Sequence, residues 1–147
     1  MKGNAIILIA EDDEGHYTLM RRNLQRSGLN NEMIRFRDGQ ELLDYLDLIK
    51  RKEELKNCPH LLFLDIRMPK VDGLEVLERV KSDLALRRMP IIVITTASDI
   101  RAVEQCHQLG CCMYLVKPVE YEKFVEMMQK VGSFLSIVEL PSLAATS

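Results

Sequence analysis

Five strand-length apolar runs punctuate the chain: AIILIA (5–10), EMIRF (32–36), LLFL (61–64), PIIVIT (90–95) and CMYLV (112–116). Four of them lack polar alternation, the pattern of strands covered on both faces. Each is followed by a stretch with helical spacing. Leu19, Met20 and Leu24 mark the first, which stops at Gly28; Leu42, Leu43, Leu46 and Ile49 mark the second; Leu74, Val76, Leu77 and Val80 mark the third. ASDIRAVEQCHQLG, closed by a glycine, and YEKFVEMMQKVGSFLSIV supply the fourth and fifth. Strict alternation of this kind demands parallel strands joined by right-handed crossovers. The expected fold is therefore α/β, a doubly wound five-stranded parallel sheet with five flanking helices. The charged segment KRKEELKN (50–57) lengthens the second crossover and reads as a solvated helix end plus loop, and SLAATS at the end reads as a frayed tail.

A chain of 147 residues is one ordinary domain. Its formal charge of −2 lacks the basic excess that nucleic-acid binding leaves in a sequence, so no nucleic-acid partner is expected. MKGNAIILIAEDDE turns acidic too soon for a signal peptide or a spanning helix, and no membrane association is expected. These features predict a soluble cytoplasmic protein. The cysteines Cys58, Cys106, Cys111 and Cys112 form no C-x-x-C pair, and Cys106-His107 with Cys111-Cys112 fits no common ligand spacing; buried reduced thiols are the expectation.

In open α/β sheets ligands bind beyond the carboxyl ends of the strands. Strand 1 is followed there by EDDE (Glu11, Asp12, Asp13, Glu14), strand 3 by Asp65, strand 4 ends on Thr95-Thr96, and strand 5 runs into Lys117-Pro118; strand 2 offers nothing equivalent. Each has an ordinary explanation alone, EDDE as charge in a helix's first turn and Lys117 as a solvated side chain. Together on one sheet edge they suit one chemistry. Three carboxylates repel one another unless a hard cation sits among them, and oxygen-only ligands favour Mg²⁺. Glu11, Asp12 and Asp65 are the expected magnesium ligands. Asp65 is placed to act as a nucleophile forming an aspartyl phosphate, with Lys117 pairing one phosphoryl oxygen and the Thr95 hydroxyl donating to another.

Those residues, in order, carry a resemblance over nearly the whole chain. Glu11-Asp12 after ILIA, LDIRMPKVDG around Asp65, PIIVITTAS with Thr95 and YLVKP with Lys117 resemble the receiver domains of two-component response regulators. The resemblance implies the flavodoxin-like strand order 2-1-3-4-5. It also implies phosphorylation of Asp65 by a sensor histidine kinase or a histidine phosphotransferase, and a metal site completed by the backbone carbonyl of Arg67. Tyr114 falls on the aromatic switch position coupled to Thr95, and the face of the fourth helix, fifth strand and fifth helix would report the switch. Arg67 and Ala97 flank the path of the hydrolytic water, where a long arginine is expected to slow loss of phosphate. Thr96 departs from the family, whose residue there is usually small, and is expected to crowd access. EDDEGH, RDGQELLDYL and FLSIVELP, with the long second crossover, resemble the single-domain regulators paired with bacterial and cyanobacterial phytochromes.

The resemblance divides the chain into a receiver domain over 3–132 and a C-terminal arm over 133–147. With no output domain after the last helix, the expected signal passes by contact and the protein is not an enzyme. SFLSIVEL (133–140) is more apolar than a helix end requires and predicts a homodimer through the arm. A haloacid-dehalogenase-type phosphatase, the competing reading, needs a second aspartate two positions after the nucleophile, where this chain has Arg67. A module that binds partners without phosphorylation needs a broken acidic site. A Rossmann nucleotide site needs G-x-G-x-x-G after strand 1, which is absent.

Overall fold

The structure, a computed structural model, describes residues 3–144. Strands β1 (Ile6–Ala10), β2 (Met33–Phe36), β3 (His60–Leu64), β4 (Ile91–Thr95) and β5 (Met113–Val116) form one parallel sheet in the order β2-β1-β3-β4-β5. Helices α1 (Glu14–Arg26), α2 (Gly39–Arg51), α3 (Glu53–Lys56), α4 (Gly73–Ser82), α5 (Ile100–Leu109) and α6 (Tyr121–Leu135) flank it. Among the described residues the count is six, which corrects the expected five. At Lys52 the backbone turns extended (φ −120°, ψ 115°), which ends α2 and opens the extra turn α3 within the long second crossover.

Successive strand side chains point to opposite faces, so the apolar runs divide into two cores. Ile7, Ile9, Phe63 and Ile94 pack with Met20 and Leu24 of α1 and with Phe124 and Met128 of α6. Leu8, Leu62, Leu64 and Val93 pack with Leu42 and Leu46 of α2, Val76 and Val80 of α4 and Cys106 of α5. Strands β1, β3 and β4 are buried along their whole length, which is why their sequences do not alternate.

Four helices begin on an aspartate. The carboxylates of Asp13, Asp38, Asp72 and Asp99 accept the backbone N–H of His16, Glu41, Glu75 and Arg101, each at 2.9 Å. Such a cap contributes on the order of 1 kcal/mol, and it sets where the chain leaves each strand end. Asp13 is therefore a cap and Glu14 the first residue of α1, so only half of EDDE remains for a site.

Two further expectations change. The tail does not fray over its described part: Leu143 and Ala144 donate to the Lys56 carbonyl at 3.1 and 3.0 Å, and Leu143 is buried in the core. Residues 145–147 of the expected fray lie outside the described residues. All four cysteines are free thiols, but Cys112 is exposed while the other three are buried.

His60 opens β3 fully buried, with Nδ1 2.9 Å from the Cys58 carbonyl and Nε2 3.4 Å from the Tyr45 hydroxyl. Burial holds its pKa below the ordinary 6.5. Below that pH the unfolded chain takes a proton that the folded chain resists. This contribution is complete above 6.5 and is lost as pH falls toward the depressed folded value. Relative to His60→Leu, the wild type is expected to lose stability as pH drops from about 7.5 to about 5.5, read from urea midpoints. A pH-independent difference between the two would contradict a buried neutral ring.

Candidate functional site

Strand pairing builds the site. Ala10 is the register partner of Leu64, and the Asp65 N–H donates to the Ala10 carbonyl at 3.1 Å. The residues that leave β1 and β3 thus leave side by side. One carboxylate oxygen from each of Glu11, Asp12 and Asp65 lies within 4.8 Å of the other two. Among the described residues this is the one cluster of three acidic, His or Cys side chains close enough to share a metal. Glu11 and Asp65 are buried and Asp12 is exposed, so the cluster opens to solvent on one side. Three oxygens with an open side suit a hard divalent cation that keeps part of its water.

Lys117 enters from the other side of β3. Its backbone N–H donates to the Thr95 carbonyl at 2.8 Å, just past the end of β5. Its buried ammonium hydrogen-bonds the Glu11 carboxylate and stands 3.3 Å from Asp65 Oδ2 and 3.2 Å from His16 Nδ1. Burial pushes the Glu11 carboxyl up to about 7, against the pull of Lys117, and the negative charge of Asp65 adds a smaller push in the same direction. Burying a lone charge is costly, and here one cation is shared between two buried carboxylates. Asp65 Oδ1 accepts the Arg67 N–H at 3.1 Å, and the Arg67 side chain is exposed.

Thr95 ends β4 fully buried, and its hydroxyl accepts the Ala97 N–H at 3.4 Å, the outer limit of a hydrogen bond. Tyr114 reaches the same loop from β5, donating its hydroxyl to the Ala97 carbonyl at 2.5 Å. Thr96 is exposed. The structure thus brings Glu11, Asp12, Asp65 and Lys117 together, and puts Thr95 at the end of β4 with Tyr114 of β5 against the adjoining β4–α5 loop.

Two residues in this region escape a reading by strand ends. Strand β2, expected to supply nothing, supplies Arg35, whose Nε and Nη2 donate to the carbonyls of Glu11 and Asp12 at 3.2 and 3.1 Å. Its guanidinium also lies 5.1 Å from the centre of the Tyr17 ring. Arg35 clamps the backbone from which the acidic pair projects. A lone cation inside an apolar run was its sequence signal. His16, in the first turn of α1, is the other.

Comparison with known proteins gives the family and the fold. The profile of the response regulator receiver domain family matches residues 7–129. The response regulator Rcp1 of Synechocystis is 33% identical over 140 residues, covering 93% of each chain. A receiver domain from Rhodospirillum rubrum superimposes with a TM-score of 0.88 at 36% identity, covering 93% of this chain and 97% of its own. The phosphorylated cyanobacterial phytochrome response regulator RcpA gives a TM-score of 0.82 at 29% identity, covering 95% of this chain and 100% of its own. A crystal structure of Rcp1 is described as Mn²⁺-bound. Among the described residues no helix is long and apolar enough to cross a membrane.

Proposed function

Because the chain belongs to the response regulator receiver domain family, we propose that Asp65 accepts a phosphoryl group from the phosphohistidine of a sensor histidine kinase or a histidine phosphotransferase. The reaction is magnesium-dependent, the protein works in the cytoplasm as a signalling module rather than an enzyme, and its output is protein–protein contact. The observation that carries this reading is the convergence of three carboxylates and one buried lysine, with Lys117 Nζ 3.3 Å from the Asp65 carboxylate.

The residues divide the work by their chemistry. The Asp65 carboxylate forms the new O–P bond as the P–N bond of the donor breaks, the electron pair returning to the departing imidazole nitrogen. The Arg67 N–H on Oδ1 limits rotation of the acceptor. Lys117 is close enough to pair a phosphoryl oxygen once Asp65 carries it. The Thr95 hydroxyl, weakly tethered to Ala97, is free to turn toward another. Glu11, Asp12, Asp65 and the Arg67 carbonyl would hold Mg²⁺, which when bound offsets the charge on the transferring group. Tyr114, tied to the Ala97 carbonyl, would register any movement of the Thr95 loop in the α5–β5–α6 face.

Incubation with acetyl phosphate and Mg²⁺ should add one phosphoryl mass that hydroxylamine removes, as an acyl phosphate requires. No gain in mass, or a hydroxylamine-stable ester, would refute the reading. The likeness to Rcp1 and RcpA supports a phytochrome kinase as donor, which transfer rates against several unrelated kinases test; equal rates would remove it.

The end of α6 supports a second copy as partner. Phe134 is 51% exposed and Ile137 81%, and Phe134 borders an apolar groove with Met113, Leu115 and Met127. Deleting residues 134–147 is a poor test, since Leu135 and Leu143 belong to the core. Light scattering should instead show a dimeric wild type and a monomeric Phe134→Asp, Ile137→Asp double variant. A monomeric wild type would end the proposal.

A further inference from the structure

We propose that His16 is a positioning residue for Lys117. Its Nδ1 lone pair is the one contact of the ammonium that neither metal binding nor phosphorylation of Asp65 displaces. This rests on the phosphorylation reading above and adds to it a residue outside the acidic pair, the acceptor, the threonine and the lysine.

A lysine ammonium has three donors and no acceptor. Lys117 has three partners: the Glu11 carboxylate, Asp65 Oδ2 at 3.3 Å and His16 Nδ1 at 3.2 Å. The first two are needed elsewhere during the reaction, Glu11 for the cation and Asp65 for the phosphoryl group. A lysine held by those two alone would have to exchange both partners as the site fills, and with four rotatable carbons it would have no fixed position from which to meet the incoming phosphoryl oxygen. His16 brings no charge that a cation would claim. It stays.

The ring is built into place. The His16 backbone N–H is held by the Asp13 cap at 2.9 Å, which fixes the first turn of α1. The imidazole then stacks on Phe124 of α6, with centroids 5.7 Å apart and planes 23° apart. Phe124 is itself buried in the core between α1 and α6. Nδ1 lies 4.0 Å from Glu11 Oε1 but 3.2 Å from Lys117 Nζ, so the lysine and not the glutamate is its hydrogen-bond partner. An ammonium cannot accept, which requires Nδ1 to carry the lone pair and places the ring proton on Nε2.

The plain alternative is that His16 only fills the space beside Phe124. Two substitutions separate the roles: His16→Phe keeps a ring against Phe124 and removes the acceptor, whereas His16→Asn removes the ring and keeps an acceptor near the Nδ1 position. With acetyl phosphate and saturating Mg²⁺, His16→Phe should be phosphorylated about tenfold more slowly than wild type, the scale of one lost hydrogen bond to a charged group. His16→Asn should stay within about threefold of wild type. Magnesium affinity, measured by calorimetry, should be unchanged in both, because His16 is not a ligand. The ¹⁵N spectrum of the wild-type ring should show an unprotonated Nδ1 and a protonated Nε2. A wild-type rate in His16→Phe, or a proton on Nδ1, would overturn the proposal. A wild type that takes up no phosphoryl group would overturn the phosphorylation reading instead, and the ring spectrum would still decide whether His16 holds Lys117.

Discussion

Asp65→Asn is expected to abolish phosphoryl uptake, lowering it by on the order of a thousandfold or more while leaving the fold intact. Asparagine has the shape of aspartate and its one oxygen can keep accepting the Arg67 N–H, but its NH2 cannot accept from Lys117, and a neutral amide oxygen is no nucleophile and binds a hard cation poorly. The change also relieves a strain of charge. The negative field of Asp65 contributes to the raised pKa of Glu11, so its removal should let the Glu11 carboxyl fall back from about 7. With one carboxylate fewer around a single lysine, the thermal midpoint of the metal-free variant should equal or exceed that of the wild type. Intact mass reads the first effect and calorimetric melting the second. Uptake by Asp65→Asn at a rate near the wild type would mean that another residue is the acceptor.

Gly73→Ala should destabilise the fold by about 3 kcal/mol or more and slow phosphorylation as well. The φ angle is not the reason, since Gly73 is absent from the residues at positive φ. A Cβ there would lie 2.4 Å from the Asp65 carbonyl oxygen and 2.6 Å from Ile66 Cα, both backbone atoms that no side-chain rotation can move away. The approach is held by the Gly73 N–H donating to the Ile66 carbonyl at 2.7 Å, at the point where Asp72 caps α4. Any relief must push the start of α4 off the acceptor or push Asp65 out of register with Glu11. Gly39→Ala is the informative companion, because its Cβ would meet the Val71 carbonyl oxygen at 1.9 Å. That clash is equally severe for stability but does not bear directly on Asp65. Urea unfolding should show both losses. Phosphorylation per folded molecule should fall further in Gly73→Ala, and a wild-type urea midpoint for that variant would contradict the close packing described.

The two halves of this protein's design differ in what a linear reading can reach. The strand runs and their helical intervals were legible because burial on two faces leaves a local, periodic trace, while the strand order came from the resemblance to receiver domains. The acceptor was legible for a related reason: an aspartate that ends an uninterrupted apolar strand, LLFLD, has nowhere to go except the carboxyl edge of the sheet. Matching Asp65 with Glu11, Asp12 and Lys117 needed only the rule that parallel strands end together.

Tertiary structure alone decided the rest. Asp12 and Asp13 are neighbours of one residue type after one strand, yet the first joins the cluster and the second turns back to cap α1. The expected ligand set already left Asp13 out, but its role as the cap came from side-chain direction, which residue type alone does not give. The roles of Arg35 and His16 could not be read for a related reason. Each acts through hydrogen-bonded contacts across a long stretch of chain, 24 residues from Arg35 to Glu11 and 101 from His16 to Lys117, and a contact of that span leaves no periodic mark. Leu143 likewise reads as part of a loose tail until the Lys56 carbonyl and the surrounding core are in place to hold it. Hydrophobic patterning is written along the chain, whereas polar pairing is settled only when distant segments meet.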